Sequence, residues 1–315
     1  MATPTGALGA EKNYLLLLAA AGVLLFLSIA GFFTYQSSVA RDQSLLSSSR
    51  LLVDTLKSLS KTGSDAATGV PPDFELVQSL TKGFQDTLLA YESGNSELGI
   101  TELASDAKPQ LEALNAAWAP MRDALKVIED NAVPYGRVST NIKAIADVVP
   151  PAIGAYAEAL EVVSRGKNAA DTYAVSRQLM RLYRILYLAR QTLSNGREAE
   201  GTAQALGTEV AEFQRDHRAL TATGIIDRAT SKYVSDAFGT VETATVAVTQ
   251  DIKPVAALQI AAASLPAFEA TTQKAADELR QKIQSSLGVS GSVTLISALA
   301  TLVALVLIGA YVFLT

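Results

Sequence analysis

Arg177, Arg181 and Arg184 step by four and three along the most basic stretch of the chain, which continues to Arg190 and Arg197. Side chains at that spacing share one face of a helix. Three guanidiniums so placed can grip a carboxylate or another oxyanion through paired N–H donors. They can equally pair with Asp and Glu of neighbouring helices, or face water. Other chemistry is thin. His217 is the only histidine, so a serine–histidine nucleophile pair would have to use it. It stands in Gln214-Arg215-Asp216-His217-Arg218, a charged run that predicts a solvated helix face. There is no glycine-rich phosphate loop, no His/Cys metal spacing and no H-E-x-x-H helix. The carboxylates are scattered. The sequence therefore predicts neither an enzyme nor a cofactor or metal site.

The elements that must carry these residues are helices. Around the arginines, Leu179, Leu182, Leu186, Ala189 and Leu193 repeat by three and four, which predicts the buried seam of that helix. Leu45, Ser49, Leu52, Leu56 and Leu59 predict the same for a first helix that ends near Lys61-Thr62-Gly63, with Gly69 and Pro71-Pro72 in a loop. A helix follows from Asp73, its cap, to about Tyr91, broken at Gly94-Asn95. Leu111, Leu114, Trp118, Met121, Leu125 and Ile128 keep phase across Pro120, so one kinked helix is expected, with Trp118 as a core anchor. The pattern stays helical from Pro134 to Val163, bent or broken at Pro150-Pro151, then from Ala203 to Leu220 and from Asp227 onward. The β-branched cluster Val241, Thr243, Thr245, Val246 and Val248 has strand propensity. With alanine-rich helix on both sides and no partner strand, it is read as helix.

Two stretches set the layout. Tyr14–Phe33 is 20 residues and Val289–Leu314 is 26 residues, both without a charged side chain. As helices, each is long enough to cross a hydrocarbon core of about 30 Å. Ser38-Val39-Ala40 would suit signal cleavage, but a 20-residue run exceeds the usual h-region, so a retained anchor is expected. Between the runs lie about 255 residues that hold nearly all of the net charge of −5. A weakly acidic segment gives no basic footprint for nucleic acid. Cysteine is absent, and a segment this large can build a core without disulfides. The expected fold is all-α, with two transmembrane helices bracketing tandem antiparallel helical-bundle modules. The boundaries are a tail at 1–13, a span at 14–34, modules at 35–165 and 166–288, and a second span at 289–314.

The modules echo one another. Ser49-Arg50-Leu51-Leu52, running to Leu59-Ser60-Lys61-Thr62-Gly63, matches Tyr183-Arg184-Ile185-Leu186, running to Leu193-Ser194-Asn195-Gly196. A duplicated four-helix unit would account for this, since each helix then buries one seam; alanine- and leucine-rich helices also resemble one another through composition alone. Arg50-Leu51 after Ser48-Ser49, and Arg184-Ile185 after Leu182-Tyr183, also resemble a degenerate serine-glutamine-arginine-isoleucine-alanine helix motif. That motif starts the input module of PilJ-type receptors, the methyl-accepting transducers of type IV pilus chemotaxis. A related module occurs in nitrate/nitrite sensor kinases. The tail–span–helices–span layout is similar over the whole chain.

The resemblance implies a sensory input region in the inner membrane of a Gram-negative bacterium, with a periplasmic central region and both termini cytoplasmic. It implies twitching motility as the output, and pilin, surface contact or a small anionic ligand as the input. Arg50, Arg177, Arg181 and Arg184 are the candidate ligand-binding residues. Arg50 has no second arginine close by on its helix. Dimerisation of two copies is expected, because bundles on a membrane expose seams that a partner can cover. A chemotaxis adaptor and kinase would be reached only through a cytoplasmic domain that this chain does not contain. Two alternatives stay open: a scaffolding membrane protein that contacts pilus or envelope components, and the input half of a nitrate-type sensor kinase.

Overall fold

The structure, a computed structural model, describes residues 41–286 apart from Lys167 and Asn195, together with nine isolated positions inside the two apolar runs. The predicted spans 14–34 and 289–314 otherwise lie outside the described residues, as do the 1–13 tail and Ser38-Val39-Ala40. Among the described residues no helix is long and apolar enough to cross a membrane.

What is described is helical, as the periodicity predicts. Helix α1 covers 41–64, and a 3₁₀ turn follows at Asp65–Thr68. Then come α2 (Phe74–Ser93), α3 (Lys108–Asp130), α4 (Ala132–Arg165), α5 (Ala169–Thr192), α6 (Ala199–Ala222) and α7 (Arg228–Ser286). Among the described residues the only β pairing is an isolated bridge between Asn95 and Ile100. Side chains that satisfy free backbone donors start several helices. Asp73 accepts from the Leu76 amide at 3.0 Å, Asn168 from the Ala170 amide at 3.1 Å, and Asp227 from the Ala229 and Thr230 amides at 2.8 and 2.9 Å. Gly69 ends the first turn region at φ 83°. A Cβ there would also lie 2.8 Å from the Leu193 carbonyl oxygen, so both backbone and space demand glycine.

Contacts divide the chain into two compact units. One draws on residues up to Asp54, on Gln85–Asn115 and on residues from Gln273. Its core includes Leu45, Leu52, Tyr91, Leu103, Leu111, Leu279 and Ile283. The Tyr91 hydroxyl lies 2.8 Å from Ser48 Oγ, and burial pushes it up to about 12. The rim carries ion pairs from Lys108 to Glu102 and from Lys282 to Asp106, at 3.0 and 2.8 Å.

The other unit comprises Thr55–Phe84 and Ala116–Thr272, and it contains α4, α5 and α6 entire. Trp118 is a core anchor, as its seam position predicts, with its ring 4.1 Å from that of Phe84. Antiparallel neighbours α4, α5 and α6 pack in chain order. Helix α7 lies against the turn before α6, where Gly196 approaches Gln259 so closely that a Cβ would meet it at 2.6 Å. Thr272 donates to the Ala117 carbonyl at 3.0 Å, fixing α7 to α3. Pro120, Pro150-Pro151, Pro254 and Pro266 all lie inside helices that continue past them. The β-branched cluster at 241–248 is helical, as read.

The seam of α5 differs from the predicted one. Val175, Gln178, Leu182, Ile185, Ala189 and Thr192 face inward, whereas Leu179 and Leu186 are only half-buried. Both sets repeat by three and four and share Leu182 and Ala189, and Leu193, just past the helix, is buried as predicted. They differ by a partial rotation of the helix, which turns Arg181 toward α6 and brings Gln178 inside. Gln178 is 0 % exposed, and its amide meets no protein hydrogen-bond partner among the described residues. Burying an unpaired amide is costly, so Gln178→Leu is expected to stabilise the protein by about 1–2 kcal/mol. A urea titration followed by circular dichroism measures this, and a lower midpoint would show that the amide is satisfied.

Candidate functional site

The arginine face of α5 meets an acidic face of α6. Helices α5 and α6 are antiparallel neighbours, so the ascending steps 177, 181, 184 oppose the descending steps 216, 212, 209. The pairing follows that register. Arg177 donates to Asp216 at 2.8 Å, Arg181 to Glu212 and, at 3.3 Å, to Glu209, and Arg184 lies 3.2 Å from Glu209. Arg181 also stands 3.7 Å from Asp216. Arg215, on the outer side, pairs with Asp216 at 3.0 Å.

Arg181 is the centre of this lattice, with 16 % of its side chain exposed against 64 % for Arg184. Glu209 and Asp216 are slightly more enclosed than Arg181. The hydrogen bond from Arg181 holds Glu212 below the usual carboxylate range. That stabilisation is present above the unfolded value of 4.5 and is lost as pH falls through the lowered one. The three guanidiniums singled out by their spacing thus face three carboxylates of the same chain. An external anion would have to displace Glu209 or Asp216, or take the open edge of Arg184. Arg50 is exposed on α1, before Asp54 and so in the other unit.

His217 corrects the sequence reading. It is buried, not solvated. Tyr156 of α4 lies with its hydroxyl 2.6 Å from His217 Nδ1, and Nε2 lies 3.1 Å from Ser235 Oγ and 3.3 Å from the Ser231 carbonyl of α7. A carbonyl only accepts, so Nε2 carries the proton and Nδ1 accepts from Tyr156. Burial pushes the Tyr156 hydroxyl up, which keeps it a donor. Phe213 stacks on the imidazole, with ring planes 8° apart and centroids 5.7 Å apart. One neutral imidazole therefore ties α4, α6 and α7 together. The signal was in the spacing: Ala203, Leu206, Val210, Phe213, His217 and Leu220 step by three and four, and all are buried. Charged neighbours on both sides hid it.

Small side chains also open a groove of about 360 Å³ between α6 and α7, with Gly207 and Ala211 facing Thr245 and Val246. It is bridged at its edge by a hydrogen bond from Gln214 to Glu242 of 2.9 Å. No protein-family model matches the chain, and no curated protein matches it. The functional reading therefore rests on the residues and their geometry.

Two outcomes follow. Arg181→Ala takes from Glu212 its arginine and from Glu209 and Asp216 the most enclosed of their partners, and is expected to cost about 1–3 kcal/mol, whereas Arg184→Ala costs under about 1 kcal/mol; equal costs in urea melts would refute the centre assigned to Arg181. Burial also lowers the affinity of His217 for a proton below its ordinary value of 6.5. The unfolded chain then binds the proton that the folded one refuses, so stability is complete above that value and falls as pH drops below it. The midpoint of thermal unfolding should decline from pH 7 to pH 5, and His217→Gln should flatten that decline; a wild-type midpoint constant over this range would contradict it.

Proposed function

We propose that the chain is the sensory input region of a membrane-anchored receptor, of the kind that serves type IV pilus chemotaxis and twitching motility. The observation that carries it is the placement of the two uncharged runs on either side of an all-helical polar segment. Helix α7 is described through Ser286, three residues before the second run begins. At the described positions inside the runs the chain is helical, and Val23, Phe26, Ile29, Leu299, Leu302, Val303 and Val306 expose their side chains. Lipid would cover such side chains, whereas water penalises them. On this reading the helical segment stands in the periplasm and both termini are cytoplasmic.

The mechanism is a change of helix packing passed to one span. Helix displacements of this type are ångström-scale, and a coupling of about 1–3 kcal/mol biases output five- to 150-fold. The self-paired α5–α6 lattice suits such a switch, because an anion that takes Arg184 would leave Glu209 to Arg181 alone and let the pairing shift. The same self-pairing also favours a second reading, a scaffolding membrane protein with no ligand, since Arg177, Arg181 and Arg184 are all already paired.

Two measurements test this. Protease added outside spheroplasts that express the full chain should digest the central segment and spare it in intact cells; a segment that stays intact in both would overturn the topology. With nitrate or a short dicarboxylate, the purified chain should show a rise in melting temperature that Arg184→Ala removes. No rise in either form, with the topology as proposed, would favour the scaffold.

A further inference from the structure

Helix α5 has a second ordered stripe, on the side away from its core. Tyr173, Met180 and Tyr187 follow one another at strict heptad spacing, and Tyr183 takes the intermediate step. All four are 53–69 % exposed. On a helical projection they lie opposite Val175, Leu182 and Ala189, which fill the seam against α4 and α6. The stripe runs over 15 residues, about 21 Å along the helix. A soluble monomer ordinarily places polar side chains there, and aromatic residues with Met and Arg are the composition enriched in interface cores.

We propose that this face of α5 is where two copies of the chain meet, as a parallel helix pair about a two-fold axis normal to the membrane. The proposal rests on the anchored reading above. Strict heptads along a straight exposed face are what a pair of like helices interlocks. Charge permits it as well. Meeting of identical faces is usually opposed by like charge, but Arg177 and Arg184 beside the stripe are already paired with Asp216 and Glu209. Arg190 alone is exposed at the stripe's end without an ion pair among the described residues, and it limits how far the pairing extends.

Area decides where the pair is stable. At ~200 Å² for each large side chain, the exposed fractions amount to ~500 Å² per copy, or ~1,000 Å² in all. That is the size of a transient contact rather than a permanent one. Two anchors in one bilayer confine and orient both copies, which raises their effective concentration without any new contact. The face therefore pairs in the membrane and separates when the chain is diluted in detergent.

The chain contains no cysteine, so single cysteines report without background. Tyr173→Cys, Met180→Cys and Tyr187→Cys in the full chain, oxidised gently in membranes, should each give at least ~tenfold more disulfide dimer than Asp123→Cys on α3, the excess of a held pair over chance collision. Met180→Glu, at an exposed site that the fold does not need, should abolish the dimers at 173 and 187. Equal yields at all four positions, no dimer at the stripe, or cross-links from the stripe only to other proteins would each overturn the pairing. Carbonate extraction of the same membranes separates the two ideas. A chain that is released refutes the anchoring, and a chain that is retained without stripe dimers refutes this face alone.

Discussion

Each helix of this protein can hide only one stripe of its surface, and every other feature follows from how those stripes are covered. With no cysteine to cross-link it, the fold depends on seams that repeat by three and four and must lie against other seams. Leu45, Ser49, Leu52, Leu56 and Leu59 on α1 obey this rule, as do Leu111 to Ile128 on α3 and Ala203 to Leu220 on α6. Even the prolines submit to it. Pro120, Pro254 and Pro266 lose a backbone hydrogen bond each, yet α3 and α7 continue past them, because the packed seam on both sides holds phase.

Polar residues inside the seams then fix which arrangement wins. Apolar stripes slide and rotate at little cost, as the two alternative seams of α5 illustrate. A buried His217 that accepts from Tyr156 and donates to α7 does not slide. The α5–α6 lattice acts in the same way from the surface. Its three arginines and three carboxylates match step for step only in one antiparallel register, and a shift by one turn would leave Arg181 or Glu209 enclosed without a partner. That penalty is larger than the benefit of the pairs themselves, so the lattice selects a register more than it adds stability.

The same lattice shapes the functional reading. Guanidiniums already satisfied by internal carboxylates make a poor empty trap for an anion; on the receptor reading proposed above they would serve instead as an exchange point, where an incoming group competes with Glu209. The outward stripe of α5 adds a second constraint on that helix. One helix thus carries charge pairing on one flank, a core seam on its inner side and exposed tyrosines on the outside.

The sequence by itself determined the helices, most of their seams, the cap at Asp73, the break at Gly94 and the two uncharged runs, because these depend on residues within a turn or two of one another. It also placed Arg177, Arg181 and Arg184 on one face. Only the tertiary structure decided what that face meets, which way α5 turns, that Gln178 lies inside, and that His217 is a core residue rather than a solvated one. The reason is physical. Periodicity is a local property of the chain, but the partner of a charge and the burial of a histidine depend on helices distant in sequence, and no spacing within one helix specifies those.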